Sequence, residues 1–236
     1  MKFLKIVAIA SCFISKQSVA QNCSEMLQFK DNVSLTLTNY KSEEKITGKI
    51  KQYFSKVSTI GAAVSSHVKS ESFDKKDKLQ STTEFDMKCE KGIIYMDMKM
   101  MVPSQTTEAY ENMEMQMSGN DLEIPTNLSV GEQLKDARLT MDVSSNGVSM
   151  ATISFLISDR KVEAKEAIST PAGSFECYVI SYHFKSETTP VGLPFPIKIN
   201  GIAKQWFSYD AGAVKTESFK ENGKSMGYTL LTEIKK

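Results

Sequence analysis

Ala137-Arg138-Leu139-Thr140-Met141-Asp142-Val143-Ser144-Ser145-Asn146-Gly147-Val148 is the stretch that decides the fold. Ala137, Leu139, Met141 and Val143 alternate with Arg138, Thr140 and Asp142. That period of two is the mark of a half-buried strand. Asn146-Gly147 then supplies the two residues that most readily take positive φ, as a tight hairpin turn requires. Val148–Ile157 follows as the returning strand.

The same grammar extends in both directions. Ile94, Met96, Met98, Met100 and Val102 fall on one face of a predicted strand, with Tyr95, Asp97 and Lys99 on the other. Lys91-Gly92, Gly119-Asn120 and Gly212 mark further turns. Three segments share a pattern of an aromatic, four polar or turn-prone residues, then Lys: Tyr40–Lys45, Phe73–Lys78 and Phe219–Lys224. Each separates two strand-like stretches and reads as a solvated hairpin end; a repeated ligand-gripping loop is the functional alternative. Phe175 to Phe184 is apolar on both faces, which predicts a central strand covered on both sides. Thr170-Pro171-Ala172-Gly173 before it is a tight turn. Leu193-Pro194-Phe195-Pro196, within Thr189–Ile197, is a rigid loop outside central pairing, because Pro cannot donate to a ladder. One short helix is expected over 103–112, with Pro103 at its start and Glu108 in an early turn. The fold class is therefore all-β and mainly antiparallel: a strongly curved sheet or incomplete β-barrel, with that helix capping it.

The first twenty residues set the compartment. Met1-Lys2-Phe3-Leu4-Lys5 is a basic start, Ile6 to Ile14 is apolar, and Ser18-Val19-Ala20 places small residues at a cleavage site. This is the pattern of a secretory signal peptide over 1–20. The apolar run is shorter than the roughly 20 residues a span needs. Ile9-Ala10-Ser11-Cys12 offers a lipoprotein reading in which Cys12 is lipidated, but little sequence precedes it. The expectation is an exported protein, periplasmic or at the cell surface, with one β-rich domain over 21–236.

Composition narrows the function. Losing Lys2, Lys5 and Lys16 with the leader leaves 26 basic against 28 acidic residues, a net charge of −2. Only Arg138 and Arg160 supply guanidinium groups. Neither feature suits a nucleic-acid footprint, which needs clustered base. Of the cysteines beyond the leader, Cys177 sits in a buried-strand pattern. Export favours a disulfide, and the expected pair is Cys23 with Cys89. Cys and His are too dispersed for a metal site.

Methionine is the oddest usage, 13 in all. Met96, Met98 and Met100 line one expected face, and Met113, Met115 and Met117 another. Copper(I) favours such soft sulfur, yet residues two apart on a strand lie about 6.6–6.8 Å apart, too far for three on one ion. The plain reading is core. The functional reading is an apolar-ligand cavity, since Met adapts to irregular shapes. Catalysis has little support: His67 and His183 lie in strand-like stretches, with His183 expected to face the interior or a partner. The sequence holds neither a nucleophile elbow nor a zinc-protease, P-loop or dinucleotide motif, so no cofactor is implied.

Three blocks carry a family resemblance: Asp121-Leu122-Glu123-Ile124-Pro125 with Leu128–Gly131 and Leu134–Ala137, then Thr170–Ile180, then Asn222-Gly223-Lys224 with Gly227–Leu231. Together they resemble the TapB family, exported Bacteroidetes proteins mostly of unknown function, over nearly the whole mature chain. Such families resemble the curved antiparallel sheets of lipoprotein carriers, which have an apolar concave face. The resemblance supplies no catalytic residues.

The favoured expectation is a non-enzymatic envelope protein holding a lipid or other apolar molecule among Met96, Met98, Met100, Met113, Met115 and Met117. The rival is an envelope accessory or adhesion protein with a filled core, meeting a protein partner through loops such as Thr188–Ile197. A carrier needs an accessible apolar cavity of about 300 Å³ or more. An interaction protein needs an exposed apolar patch. An enzyme needs titratable groups converging in a cleft with perturbed pKa.

Overall fold

The computed structural model describes residues 23–41, 45–102, 110, 112–192 and 194–236. The leader and Cys12 lie outside these residues, as does most of the helix expected over 103–112; Tyr110 and Asn112 are in turns. Among the described residues the helical segments are short 3-10 turns, at Cys23–Glu25, Leu27–Phe29 and Met98–Met101.

Thirteen strands form one antiparallel sheet. They are β1 (Val33–Lys41), β2 (Lys45–Ile60), β3 (Ala63–Asp74), β4 (Leu79–Glu90), β5 (Ile93–Met96), β6 (Glu114–Gly119), β7 (Leu122–Pro125), β8 (Ala137–Ser145), β9 (Val148–Thr170), β10 (Gly173–Pro190), β11 (Ile197–Ser208), β12 (Gly212–Phe219) and β13 (Ser225–Lys235). The order across the sheet is β6-β8-β9-β10-β11-β12-β13-β1-β2-β3-β4-β5-β7. Two meanders, one from each half of the chain, join where β13 pairs with β1.

The deciding stretch behaves as its pattern dictates. Ala137, Leu139, Met141 and Val143 are buried on β8. Asn146 and Gly147 both take positive φ, 50° and 75°, and turn the chain into β9. β10 lies between β9 and β11, with Cys177, Val179 and Ile180 buried on both its faces.

The strand expected through Val102 is shorter: β5 stops at Met96. The Asp97 side chain accepts from the Lys99 amide at 2.9 Å and starts a 3-10 turn. A short carboxylate that bonds its own downstream backbone competes with the ladder, and here it wins. Met96, Met98 and Met100 therefore do not share one strand face.

The topology itself shows how strongly the sheet curls. β6 and β7 occupy opposite margins, yet only Asn120 and Asp121 separate them in sequence. Thirteen strands about 4.8 Å apart would place flat margins nearly 60 Å from each other. A two-residue connection allows only about 10 Å, so the sheet must roll until its margins meet. Backbone and side chains both close the roll: the Asn120 amide donates to the Arg138 carbonyl (3.0 Å), the Leu134 amide to the Arg160 carbonyl (2.8 Å), and Gln133 bridges Lys161. Arg160 on β9 donates from Nη1 to the carbonyls of Glu123 on β7 (2.9 Å) and Lys135 (2.7 Å). Asn120 donates from Nδ2 to the Asp136 carbonyl and accepts the Arg138 amide on Oδ1.

Two apolar clusters fill the roll. The larger runs from Met26 and Phe29 through β1–β5 and β7 to β9–β13. The smaller packs Met98 and Val102 against β8 and the first half of β9.

Candidate functional site

The concave face is largely filled by the chain's own N-terminal segment. Cys23 is joined to Cys89 by a disulfide with a Cα–Cα distance of 6.1 Å. The Leu27 amide donates to the Asp210 carbonyl at 3.2 Å. Met26 and Phe29 are thereby held inside the roll, 2% and 3% exposed. The apolar cavity that remains is about 100 Å³, bounded by Met26, Phe29, Phe54, Met87, Met96, Met100 and Phe207 among others. That is smaller than the roughly 150 Å³ of a void that takes a benzene, and well short of the 300 Å³ expected of a carrier.

The six methionines do not line one site. Met96 and Met100 border the cavity. Met98 is 2% exposed within the smaller cluster, and Met113 and Met115 pack against that cluster from outside. Met117, opposite Met141 on margin strand β6, is exposed. Cavity residues missed by the Met pattern, such as Phe29 and Phe207, come from segments with no shared spacing. Only the curl of the sheet brings them together.

Several polar groups in and around the interior serve the fold. Tyr209 Oη donates to the Pro125 carbonyl (2.8 Å) and accepts the Leu128 amide (2.9 Å), pinning the loop after β7. Arg160, 2% exposed, has its guanidinium pulled down to about 10 by burial and so remains charged near neutrality. Burial pushes the Tyr182 phenol up to about 12. The free Cys177 thiol is buried and likewise pushed up to about 12, which makes it unreactive. His67 bridges Asp86 (2.9 Å) and Glu84 (3.3 Å) on the neighbouring strand. His183 does not face the interior: its side chain is 58% exposed, 3.6 Å from Asp159.

Carboxylates converge in an open cleft of about 360 Å³ that includes Asp86, Glu90, Asp97 and Asp121. Burial, with Asp97 and Glu123 nearby, raises the Asp121 carboxyl. Its neighbours are engaged: Asp86 by His67, Glu90 by Lys88 at 2.6 Å, Asp97 by the Lys99 amide. Among the described residues, no group of three or more His, Cys, Asp or Glu is arranged to hold a metal ion.

Exposed apolar side chains are concentrated elsewhere. The β8–β9, β10–β11, β12–β13, β1–β2 and β3–β4 connections all lie along one border of the sheet, because they join alternate pairs in a continuous antiparallel order. The three similar turns are among them. Nine of the thirteen exposed large apolar side chains among the described residues sit on this border: Ile46, Leu79, Val148, Met150, Val191, Phe195, Ile197, Ile199 and Met226. The β10–β11 hairpin overhangs it, because β11 begins at Ile197 while β12 ends opposite Ile202. Phe195 at its tip is 77% exposed and Ile197 58%. The Val191 amide reaches the Met150 carbonyl at 2.8 Å, which draws the β8–β9 turn against this tip.

A rolled, open antiparallel sheet of thirteen strands with a largely filled interior places the described residues in the all-β class. The chain belongs to the DUF3108-like family, whose model matches residues 31–231. Among solved structures it is similar to a candidate lipoprotein of Parabacteroides distasonis, with a TM-score of 0.72 at 18% identity over 89% of this chain and 98% of that one. It is also similar to a candidate exported protein of Bacteroides fragilis with a YmcC-like fold, with a TM-score of 0.68 at 19% identity over 88% and 97% of the two chains. No curated protein matches the sequence.

Proposed function

We propose that this protein is an exported, non-catalytic envelope protein that acts by docking through the apolar border of its sheet, and that within its family it is TapB-like. The observation that carries the reading is the gathering of Val148, Met150, Val191, Phe195, Ile197 and Ile199 around one overhanging hairpin. Contiguous exposed apolar surface of this kind marks interaction sites. Export is supported by the signal-peptide pattern, by a disulfide suited to an oxidising compartment, and by the descriptions of the two similar structures.

Site occupancy tests this directly. Phe195→Cys and, at the opposite border, Ile60→Cys (Ile60 is 80% exposed) would be labelled with a thiol reagent in intact envelope and in purified protein. Docking predicts that Phe195→Cys reacts more slowly in the envelope, while Ile60→Cys reacts equally in both. Equal labelling at both positions would remove the basis of the reading.

The cavity favours a second reading, binding of a small apolar molecule beside Met96 and Met100. Shortening the plug with Phe29→Ala enlarges that space. Uptake of xenon by the parent, raised in the variant, supports it; uptake by the variant alone, or by neither, excludes it.

A further inference from the structure

We propose that the apolar border is a membrane-docking end, which sets Phe195 and its neighbours into the interface of a bilayer bearing anionic headgroups. This rests on the reading above that the border is where the protein acts, and it names what the border meets.

Charge selects the partner. On this border the described residues of the five connections (40–41, 45–46, 73–79, 145–149, 190–192, 194–199 and 219–226), with Glu114 at the start of β6, hold eight lysines and four carboxylates, and the sequence between β1 and β2 adds Glu43 and Glu44. The four turns at the opposite border, residues 60–63, 90–93, 170–173 and 208–212, contain one lysine and two carboxylates. The chain is nearly neutral overall, so this is a separation of charge along the strands and not a general excess. The excess base lies on the border that also holds most of the exposed apolar residues.

The carboxylates there are partly occupied within the fold. Asp74 accepts the backbone amides of Lys76 (2.8 Å) and Lys78 (3.0 Å), and those bonds hold its carboxyl below the usual range. Asp77 pairs with Lys49 at 2.9 Å. Glu221 accepts from Asn200. Next to the overhanging hairpin, a cleft of about 470 Å³ sets Lys198 and Lys220 beside Ile199 and Met226. Lys198 has only a 3.8 Å contact with Glu187. A lysine beside apolar side chains can lay its stem along them and keep its head in water, which suits a headgroup above an acyl layer. An apolar protein partner would need no such basic fringe, whereas an anionic surface attracts it.

The test is binding of the protein purified from its envelope to vesicles of phosphatidylcholine, alone and mixed with phosphatidylglycerol. Binding is expected on the mixed vesicles, weaker on phosphatidylcholine alone, and reduced by salt. Phe195→Ser combined with Ile197→Ser should abolish it. Lys198→Glu and Lys220→Glu should each weaken it about fivefold or more. Ile60→Ser, at the other border, should leave it unchanged. A gain of signal guards against misfolded variants: Phe195→Trp should shift its emission to the blue when mixed vesicles are added, over the constant contribution of buried Trp206.

Absence of binding to either vesicle overturns the proposal. So does binding that ignores headgroup charge and both lysines, or that Ile60→Ser disturbs as much as the hairpin variants. If vesicles do not bind while Phe195→Cys stays protected in the envelope, the border is occupied by something other than lipid; the membrane proposal then falls and the docking reading stands.

Discussion

Replacing Arg160 with Met tests how the sheet is kept rolled. Arg160 is 2% exposed and donates to two carbonyls, one on margin strand β7 and one just before β8. Methionine fills similar space without a donor. The substitution removes a desolvated charge, which is favourable, but leaves the Glu123 and Lys135 carbonyls without that partner. A fully buried polar group deprived of its bond costs about 1–3 kcal/mol, an upper bound for these two part-buried bonds. Allowing for relief of the buried charge, the net loss is about 2–4 kcal/mol. For a chain of this size that lowers Tm by about 4–16 °C. Calorimetry measures the total, and hydrogen exchange locates it: amides in 122–125 and 133–137 should exchange faster, while those of β1 and β13 stay protected. Arg138→Met, at the exposed arginine of β8, should shift stability by no more than about 0.5 kcal/mol. An Arg160→Met protein with parental Tm and unchanged exchange in both segments would refute the idea that this side chain adds to the backbone bonds in holding β7 and the segment before β8 against β9.

Three further outcomes are expected. Tyr209→Phe removes the hydroxyl that joins Pro125 and Leu128, and should cost about 2–4 kcal/mol in urea unfolding, with the loop at 126–134 exchanging first. Breaking the Cys23–Cys89 bond, which closes a sequence separation of 66 residues, should destabilise by about 4 kcal/mol if the effect lies in the unfolded chain; Cys23→Ser, at the partly buried end, should show that loss in equilibrium unfolding, and Cys89→Ser should lose more because its hydroxyl is buried. The lowered carboxyl of Asp74 gives stability that is present above the ordinary aspartate pKa and is lost as pH falls through its folded value. Asp74→Asn should therefore flatten the acid limb of the urea midpoint against pH below about pH 4, and an unchanged limb would place that contribution elsewhere.

Much of the strand architecture is written locally. The alternation through Ala137–Val143 and the Asn146-Gly147 turn depend only on residues a few positions apart, and the chain folds there as its pattern requires. The same locality explains the failure at Met98. An alternating run looks like strand through Val102, but one Asp97 side chain offers the backbone a closer partner than the next ladder bond. His183 shows a different limit, because on a two-sided strand the pattern alone does not fix which flank is solvated.

The candidate sites were less legible. Thr188–Ile197 stood out for its prolines, and the three aromatic-to-lysine turns for their similarity. Nothing in their spacing says that all of them share one border. The methionines stood out by number, yet they scatter between a small cavity, a core and a margin strand. Arg160 carried no local signal: its role needs two carbonyls from segments 37 and 25 residues away.

The sequence by itself determined the strand class, the turn positions, the leader pattern and the near-neutral charge, because each follows from neighbouring residues and short-range sterics. Only the tertiary structure decided that the sheet rolls until β6 and β7 meet, that Met26 and Phe29 occupy the concave face, and that exposed apolar and basic residues gather on one border. Those outcomes depend on the order in which thirteen strands pair and on the volume left when they curl, and both are set by contacts between residues far apart in the chain.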